Sequence, residues 1–374
     1  MKTLLAIDMD DYVGRHMGRS QHLMNQLSKH YRVVYVDKMN SLPHAIRDYG
    51  FNFKKYLKLN FVEINSNLTF VKLPHIFLPF ANSFRWINRI NCLILRIFMR
   101  IIYKRCEVTE VDIAWFGHPY AGDMKLSSKI KVYDCMDEHS GFKGIFNANA
   151  VKWIEHEILS KSDLSIFSAD YLSDNKKDYT KESVVIKNAA DYDHFYVEAT
   201  ESVKHDNSIL YSGVISDWVE IELLEYLAIN LPSYTFRFVG PVRKKWLSPL
   251  EPYSNVEIVG EVPYSALPKY YNAAAVCIIP FDPSWELIKS TNPIKLYEYL
   301  AAGKPTVSTR FDEVEKCEDL VSIANSHESF RDKLIEAIES NSLEKIEQRQ
   351  KFARDHSWQS RADELLPVLE RLSK

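Results

Sequence analysis

A chain of 374 residues exceeds what one ordinary hydrophobic core supports, so two domains are expected. Hydrophobic residues make up 46% and charged residues 26%, ordinary for a soluble globular protein, and a net charge of −3 gives no reason to expect a nucleic-acid partner. Five cysteines, widely spaced and never paired as CxxC, argue against a disulfide framework or a thiolate zinc site and suit reduced thiols in the cytoplasm.

From the N-terminus, the apolar run in MKTLLAIDMDD is too short for a signal peptide. No uncharged apolar stretch reaches the ~18 residues of a spanning helix, so a cytoplasmic protein is expected. Strands are predicted at 4–7, 33–36, 111–115, 132–133, 164–167 and 184–186, with helices at 20–29 and 151–161. A polar stretch, 191–207, reads as a linker. Alternation then restarts: strands at 209–212, 235–239, 256–259, 276–280 and 306–309, helices at 219–229, 265–273 and 293–302, and a helical tail from 326. The pattern predicts an α/β fold of two parallel-sheet units, 1–190 and 208–355, with 356–374 as a closing helix and ligands held in a cleft between the units.

Glycine is scarce at 11 residues, and three in the second half, Gly213, Gly240 and Gly260, each end a predicted strand. Glycine there permits positive φ and lets a ligand approach the backbone. The segment Ser290–Pro305, STNPIKLYEYLAAGKP, has Asn292 as N-cap, Pro293 at the first helical position and Gly303 as the stop. Its N-terminus suits phosphate. Lys295 in the first turn is favourable only beside an anion, Ser290 and Thr291 supply hydroxyls, and Glu298 is placed to accept from ribose hydroxyls.

These motifs, with Tyr211-Ser212-Gly213, Trp218, Phe238-Val239-Gly240-Pro241, Val259–Tyr264, Ile279-Pro280-Phe281 and Ser357-Trp358, resemble the donor domain of GT-B glycosyltransferases. The likeness is strongest to bacterial enzymes building exopolysaccharide, capsule or teichuronic acid, and covers 209–372 well and the first half in outline. It implies two Rossmann-like domains and a C-terminal helix returning to the first. It implies a nucleotide-sugar donor, expected to be UDP-linked, with no cofactor and no metal. By the resemblance, Gly260, Glu261 and Val262 meet the base; Ser290, Thr291, Ile294 and Lys295 hold the diphosphate; and Glu298 holds the ribose. Many retaining members carry two glutamates spaced E-x7-E. Here the first position is Ser290, as in inverting relatives that use Ser/Thr and Lys in this loop.

Inversion needs a base, sought at strand ends of the first domain. Asp137 in YDCMDEHSGF is the first candidate, Asp134 the reserve, and His118 in WFGHPYAG a further one. The first loop, with Gly14, Arg15 and Arg19, is a candidate for acceptor or phosphate. The DMDD cluster Asp8, Asp10 and Asp11 reads as turn-capping rather than metal-binding. Residues 83–106 hold no acid, and Arg85, Arg89, Arg96, Arg100 and Lys104 share one ~100° arc of a helix, with an isoleucine-rich side beyond it. Such a stripe suits anionic headgroups or a lipid-linked acceptor, hence peripheral attachment to the inner face of the plasma membrane. A non-hydrolysing nucleotide-sugar epimerase and a non-catalytic nucleotide-sugar-binding module are the alternative readings.

Overall fold

The computed structural model describes residues 1–8, 17–43, 46, 57–142, 147–198, 206–242 and 247–374, in two compact units. The first comprises Met1–Lys187 with Ala362–Lys374, the second Asn188–Arg361.

In the first unit the elements run β1 (Thr3–Ile7), α1 (Arg19–Leu27), β2 (Arg32–Val36), β3 (Asn60–Asn65), β4 (Leu68–Lys72), α2 (Arg85–Arg105), β5 (Ile113–Phe116), β6 (Ile130–Cys135), α3 (Ala148–Lys161), β7 (Leu164–Phe167), α4 (Asp170–Lys176) and β8 (Ser183–Val185). The sheet order is β3-β4-β2-β1-β5-β6-β7-β8, with only β3 antiparallel to its neighbour. Strands such as IAWF and LSIF are buried throughout because helices cover both faces of a parallel sheet. The hairpin β3–β4 was not anticipated. Its edge strand NFVEIN is largely exposed and offers no continuous apolar run.

The long helix α2 lies rotated from its expected orientation. Its packed stripe is Ile87, Asn88, Asn91, Cys92, Leu95, Met99 and Ile102, while Ile97 and Ile101 face outward. Of the two buried asparagines in that stripe, Asn88 has neither side-chain polar atom hydrogen-bonded, whereas Asn91 is satisfied. Asn91 accepts from the Leu78 N–H at 2.8 Å and donates to the Leu78 carbonyl at 2.9 Å.

The second unit runs α5 (Tyr192–Phe195), β9 (Ser208–Ser212), α6 (Ile221–Asn230), β10 (Thr235–Val239), β11 (Val256–Gly260), α7 (Leu267–Ala273), β12 (Val276–Ile279), α8 (Glu286–Lys289), α9 (Ile294–Ala301), β13 (Thr306–Thr309), α10 (Asp312–Glu315), β14 (Ser322–Ala324), α11 (His327–Glu339), α12 (Leu343–Asp355) and α13 (Trp358–Leu372). In the all-parallel sheet β11-β10-β9-β12-β13-β14 the strand order reverses between β9 and β12, a switch point where such sheets bind ligands. The stretch expected as a linker opens as part of this unit. Phe195 is fully buried in its core, and residues 199–205 lie outside the described residues. Helix α13 begins in the second unit, and its residues from Ala362 onward belong to the first.

Helix α9 is anchored on the sheet by Leu296, Tyr299 and Leu300, each fully buried and each contributing roughly 1.5–3 kcal/mol. It ends as expected. Gly303 has φ +68°, its N–H bonds to the Leu300 carbonyl, and the Lys304 N–H reaches back to Tyr299, which is a Schellman stop. Its start differs. Pro293 occupies the N-cap and no side chain caps the helix. Asn292 is otherwise engaged: its carbonyl accepts from the Asn188 N–H, and its amide donates to Glu313 at 2.8 Å and to the Tyr297 hydroxyl at 3.2 Å. The first turn of α9 therefore keeps its N–H groups free of a side-chain cap, and Asn292 is a structural tie.

Candidate functional site

In the second unit, three neighbouring strands finish at the three singled-out glycines, at φ +116° (Gly213), +139° (Gly240) and +79° (Gly260). They interlock. The Gly213 N–H bonds to the Val239 carbonyl and the Gly240 N–H to the Gly260 carbonyl, each at 2.8 Å. A Cβ on Gly240 would stand 2.2 Å from the Gly213 carbonyl oxygen, so that glycine is required by packing. Gly260 faces open space, and only its positive φ favours glycine. Beyond it, Glu261 is exposed and Val262 half-buried.

Lys295 projects from the first turn of α9 onto this terrace. Its Nζ lies 3.8 Å from the Tyr211 ring centroid and 5.3 Å from that of Phe281, and a Cβ on Gly213 would approach it to 2.7 Å. Aromatic faces stabilise a cation there, but they do not replace water fully. Burial lowers the ammonium's pKa to about 7, and the Glu298 carboxylate only partly opposes this. Glu298, buried on the same helix, accepts from the Tyr271 hydroxyl at 2.9 Å. Burial raises its pKa to about 7, against the lowering effects of Tyr271 and Lys295. Tyr271 is fixed in turn by the Ser212 hydroxyl at 2.6 Å, and the Ser212 N–H donates to Tyr299 at 2.8 Å. The arrangement sets an amine over an aromatic floor beside the glycine turns, with a carboxyl held in place on the same helix.

The loop hydroxyls point elsewhere. Ser290 is fully buried and donates to the Leu287 carbonyl at 2.7 Å. Thr291 donates to the same carbonyl at 3.0 Å. Both finish α8 and spend their protons locally, so the expectation of two hydroxyl donors for phosphate is corrected. Ile294 is half-buried at the start of α9. Sequence reading also missed Tyr271 and Tyr299, since periodicity does not separate a tyrosine that packs from one that positions a carboxylate.

In the first unit, two expected site residues cancel each other. Asp134 and Arg19 are both buried, and the guanidinium holds the carboxylate from Nε and Nη2 at 3.0 Å. Burial raises the Asp134 pKa, with Arg19 opposing. The pair ties α1 to β6, which removes Asp134 as a base and Arg19 as a phosphate ligand. Asp137 lies half-buried just past the end of β6. The following loop is braced by Lys176, which bonds Glu155 at 2.8 Å and Glu138 at 3.0 Å, while Glu138 accepts from the Ser140 N–H. His118, 2% exposed beyond β5, has neither ring nitrogen hydrogen-bonded, and the Nε2 of buried His139 is likewise unpartnered. Burial, aided by His139, lowers the His118 pKa to about 3, so its ring is neutral. Asp8 is buried against Gly117, where a Cβ would collide with its carboxylate. Gly14, Arg15, Asp10 and Asp11 lie outside the described residues.

Of the basic stripe, Arg89, Arg100 and Lys104 are exposed. Arg85 is not: it pairs with Glu157 at 3.1 Å and lies over the Trp153 ring, which pins α2 to α3. Arg96 is half-buried, with its Nε enclosed. No described helix is long and apolar enough to cross a membrane.

Residues 221–367 match a family model described as Glycosyl transferase-like. Over 208 residues the chain is 27% identical to the putative teichuronic acid biosynthesis glycosyltransferase TuaH of Bacillus subtilis (strain 168). That match covers 50% of this chain and 51% of TuaH, so the chain spans about half the length of the curated relative it matches. Among solved structures, the OtsA apo structure superposes with a TM-score of 0.68 at 12% identity, covering 99% of both chains. Anabaena Alr3699/HepE in complex with UDP and glucose gives 0.63 at 12%, over 99% of this chain and 100% of that one. The catalytic domain of starch synthase IV from Arabidopsis thaliana, bound to ADP and acarbose, gives 0.67 at 8%, over 100% and 99%. The fold is GT-B, and the resemblance drawn from the motifs is borne out.

Proposed function

We propose that the chain is a glycosyltransferase that takes a sugar from a nucleoside diphosphate donor, with UDP the favoured nucleotide, and transfers it to a lipid-linked saccharide or polysaccharide at an anionic membrane surface. The observation that carries the reading is Lys295, whose amine is set against the glycine terrace at the switch point of the second sheet, over the Tyr211 ring. A diphosphate there supplies the missing counter-charge. HepE, whose structure holds UDP and glucose, and the teichuronic acid glycosyltransferase TuaH support a UDP-sugar donor and a polysaccharide acceptor.

In this reading Lys295 and the uncapped first turn of α9 take the negative charge that develops on the leaving diphosphate, so the reaction runs without metal or cofactor. Glu298, aligned by Tyr271, accepts from the ribose hydroxyls, and Gly260, Glu261 and Val262 border the base. Asp137 serves as the base on the acceptor hydroxyl, and neutral His118 contributes its unpaired ring nitrogens to sugar or acceptor. Ser290, where retaining relatives place a glutamate, favours inversion. The test is turnover: UDP-sugars are incubated with bacterial membrane lipid, and UDP release is followed with and without acceptor. Acceptor-dependent release is expected. Acceptor-independent, reversible isomerisation would indicate an epimerase, and tight UDP binding without turnover a binding module.

A further inference from the structure

We infer that α2 is the element that lies flat on an anionic lipid surface, with Trp86, Leu93, Ile97 and Ile101 entering the acyl boundary and the flanking cations resting on headgroup phosphates. The apolar members of this face are not those suggested by composition alone. Trp86 is 61% exposed, Leu93 55%, Ile97 62% and Ile101 49%. At ~100° per residue the four fall within an arc of about 80°, opposite the packed stripe of Asn88, Cys92, Leu95, Met99 and Ile102.

Isolated exposed hydrophobes need no explanation, but concentrated ones do. Among the described residues, eight of the eighteen exposed large hydrophobes fall between Ile76 and Ile101, so the patch is local. Phe80 and Phe84, both exposed, extend it ahead of the helix. Phe80 adopts φ +65°, a backbone state that bulky residues avoid, and is 53% exposed.

The charges identify the occupant. Arg100 borders the ridge on one side, beside Arg89, which reaches Asp123 at 3.9 Å; Arg105 borders it on the other, and Lys104 continues its line at the C-terminal end; all four are exposed. Residues 83–106 carry no acid. A second copy docking on this face would bring cations against cations, and an apolar partner segment would supply no counter-charge to Arg100, Lys104 and Arg105. Anionic lipid satisfies both halves, apolar insertion and phosphate contact. Helix α2 has 21 residues, about 31 Å, yet is too charged to span, so it lies in the interface plane.

This deepens the acceptor reading above and rests on it only for the presence of a lipid-linked acceptor. The experiment is vesicle co-sedimentation of the full chain, with no donor present. Vesicles of phosphatidylglycerol mixed with phosphatidylcholine are compared with phosphatidylcholine alone. The wild type is expected to sediment with the anionic vesicles and to be released by salt. Leu93→Glu with Ile97→Glu should weaken partitioning by at least about tenfold. Arg100→Glu with Lys104→Glu should weaken it by at least about fivefold per cation removed. All four side chains are exposed, so melting temperatures should be unchanged, and Trp86→Phe should lose the blue shift in tryptophan emission on binding. The inference is overturned if the wild type ignores anionic vesicles, or if the Leu93/Ile97 variant binds as the wild type does. It is equally overturned if that variant instead abolishes a concentration-dependent dimer. Vesicle binding without turnover would sink the transferase reading and keep this one; turnover on a water-soluble acceptor without vesicle binding would do the reverse.

Discussion

Replacing Lys295 by Met removes a charge while keeping an unbranched side chain over Tyr211. An ammonium and one phosphate charge ~4 Å apart, at an effective dielectric of ~20, attract by about 4 kcal/mol before desolvation is counted. Charge-assisted hydrogen bonds in proteins retain roughly 1.5–3 kcal/mol net. Because burial brings the Lys295 pKa to about 7, charging it at neutral pH costs only ~0.4 kcal/mol more. The expected loss is therefore about 2–3 kcal/mol, roughly 30- to 150-fold in the Kd for UDP. Uridine, which carries no phosphate, should bind the variant within about twofold of the wild type. Calorimetric titration with UDP and uridine measures both. The wild type should also lose UDP affinity as pH rises above about 7, taking up a proton on binding, because the diphosphate favours the charged lysine. The nucleotide's own last ionisation, near ~6, is complete in that range. Glu298 titrates in the same range, so the profile is repeated in Glu298→Gln, where the lysine dependence should persist. Equal losses for UDP and uridine, or a pH profile unchanged in Lys295→Met, would refute the phosphate role.

Glu298 predicts a pH-dependent stability. Its folded pKa, raised to about 7, means that the folded state retains a proton which the unfolded chain releases above ~4.5, so its contribution to stability falls as pH rises through 4.5–7. Denaturant melts of wild type against Glu298→Gln should diverge by about 1–3 kcal/mol across that window, in the variant's favour as pH rises; parallel curves would contradict it. Asp134→Asn leaves the Arg19 guanidinium buried without its counter-charge and should cost about 3–5 kcal/mol of stability. If the melt of that variant is unchanged while transfer is lost, Asp134 is a reactive group after all. Asp137→Asn should abolish transfer while UDP affinity stays near wild type, and retained transfer would clear Asp137 as the base.

The two parallel-sheet units and the C-terminal stop of α9 were legible in the sequence because each rests on local or periodic information. Runs such as VCII and TVST read as doubly covered strands, and Gly303 and Pro305 stop a helix whatever surrounds it. Positive φ at Gly213, Gly240 and Gly260 could likewise be anticipated from glycine scarcity and position. The hairpin β3–β4 was not legible, since a polar edge strand has no apolar signature.

Partner choice was beyond the sequence. A hydroxyl or carboxylate looks the same in one dimension whether it faces a ligand or a neighbouring carbonyl. Only packing showed that Ser290 and Thr291 turn to Leu287, that Asn292 is tied to Asn188, Tyr297 and Glu313, and that Asp134 and Arg19 neutralise each other across 115 residues of chain. The same holds for α2, where periodicity identified an amphipathic helix but the rotation that exposes Leu93 and Ile97 was set by what Asn91, Leu95 and Met99 pack against. By itself the sequence determined the fold and the place of Lys295 in the first turn of α9, because both follow from local order along the chain. The tertiary structure decided which polar groups remain available for chemistry, because availability depends on contacts between residues far apart in sequence.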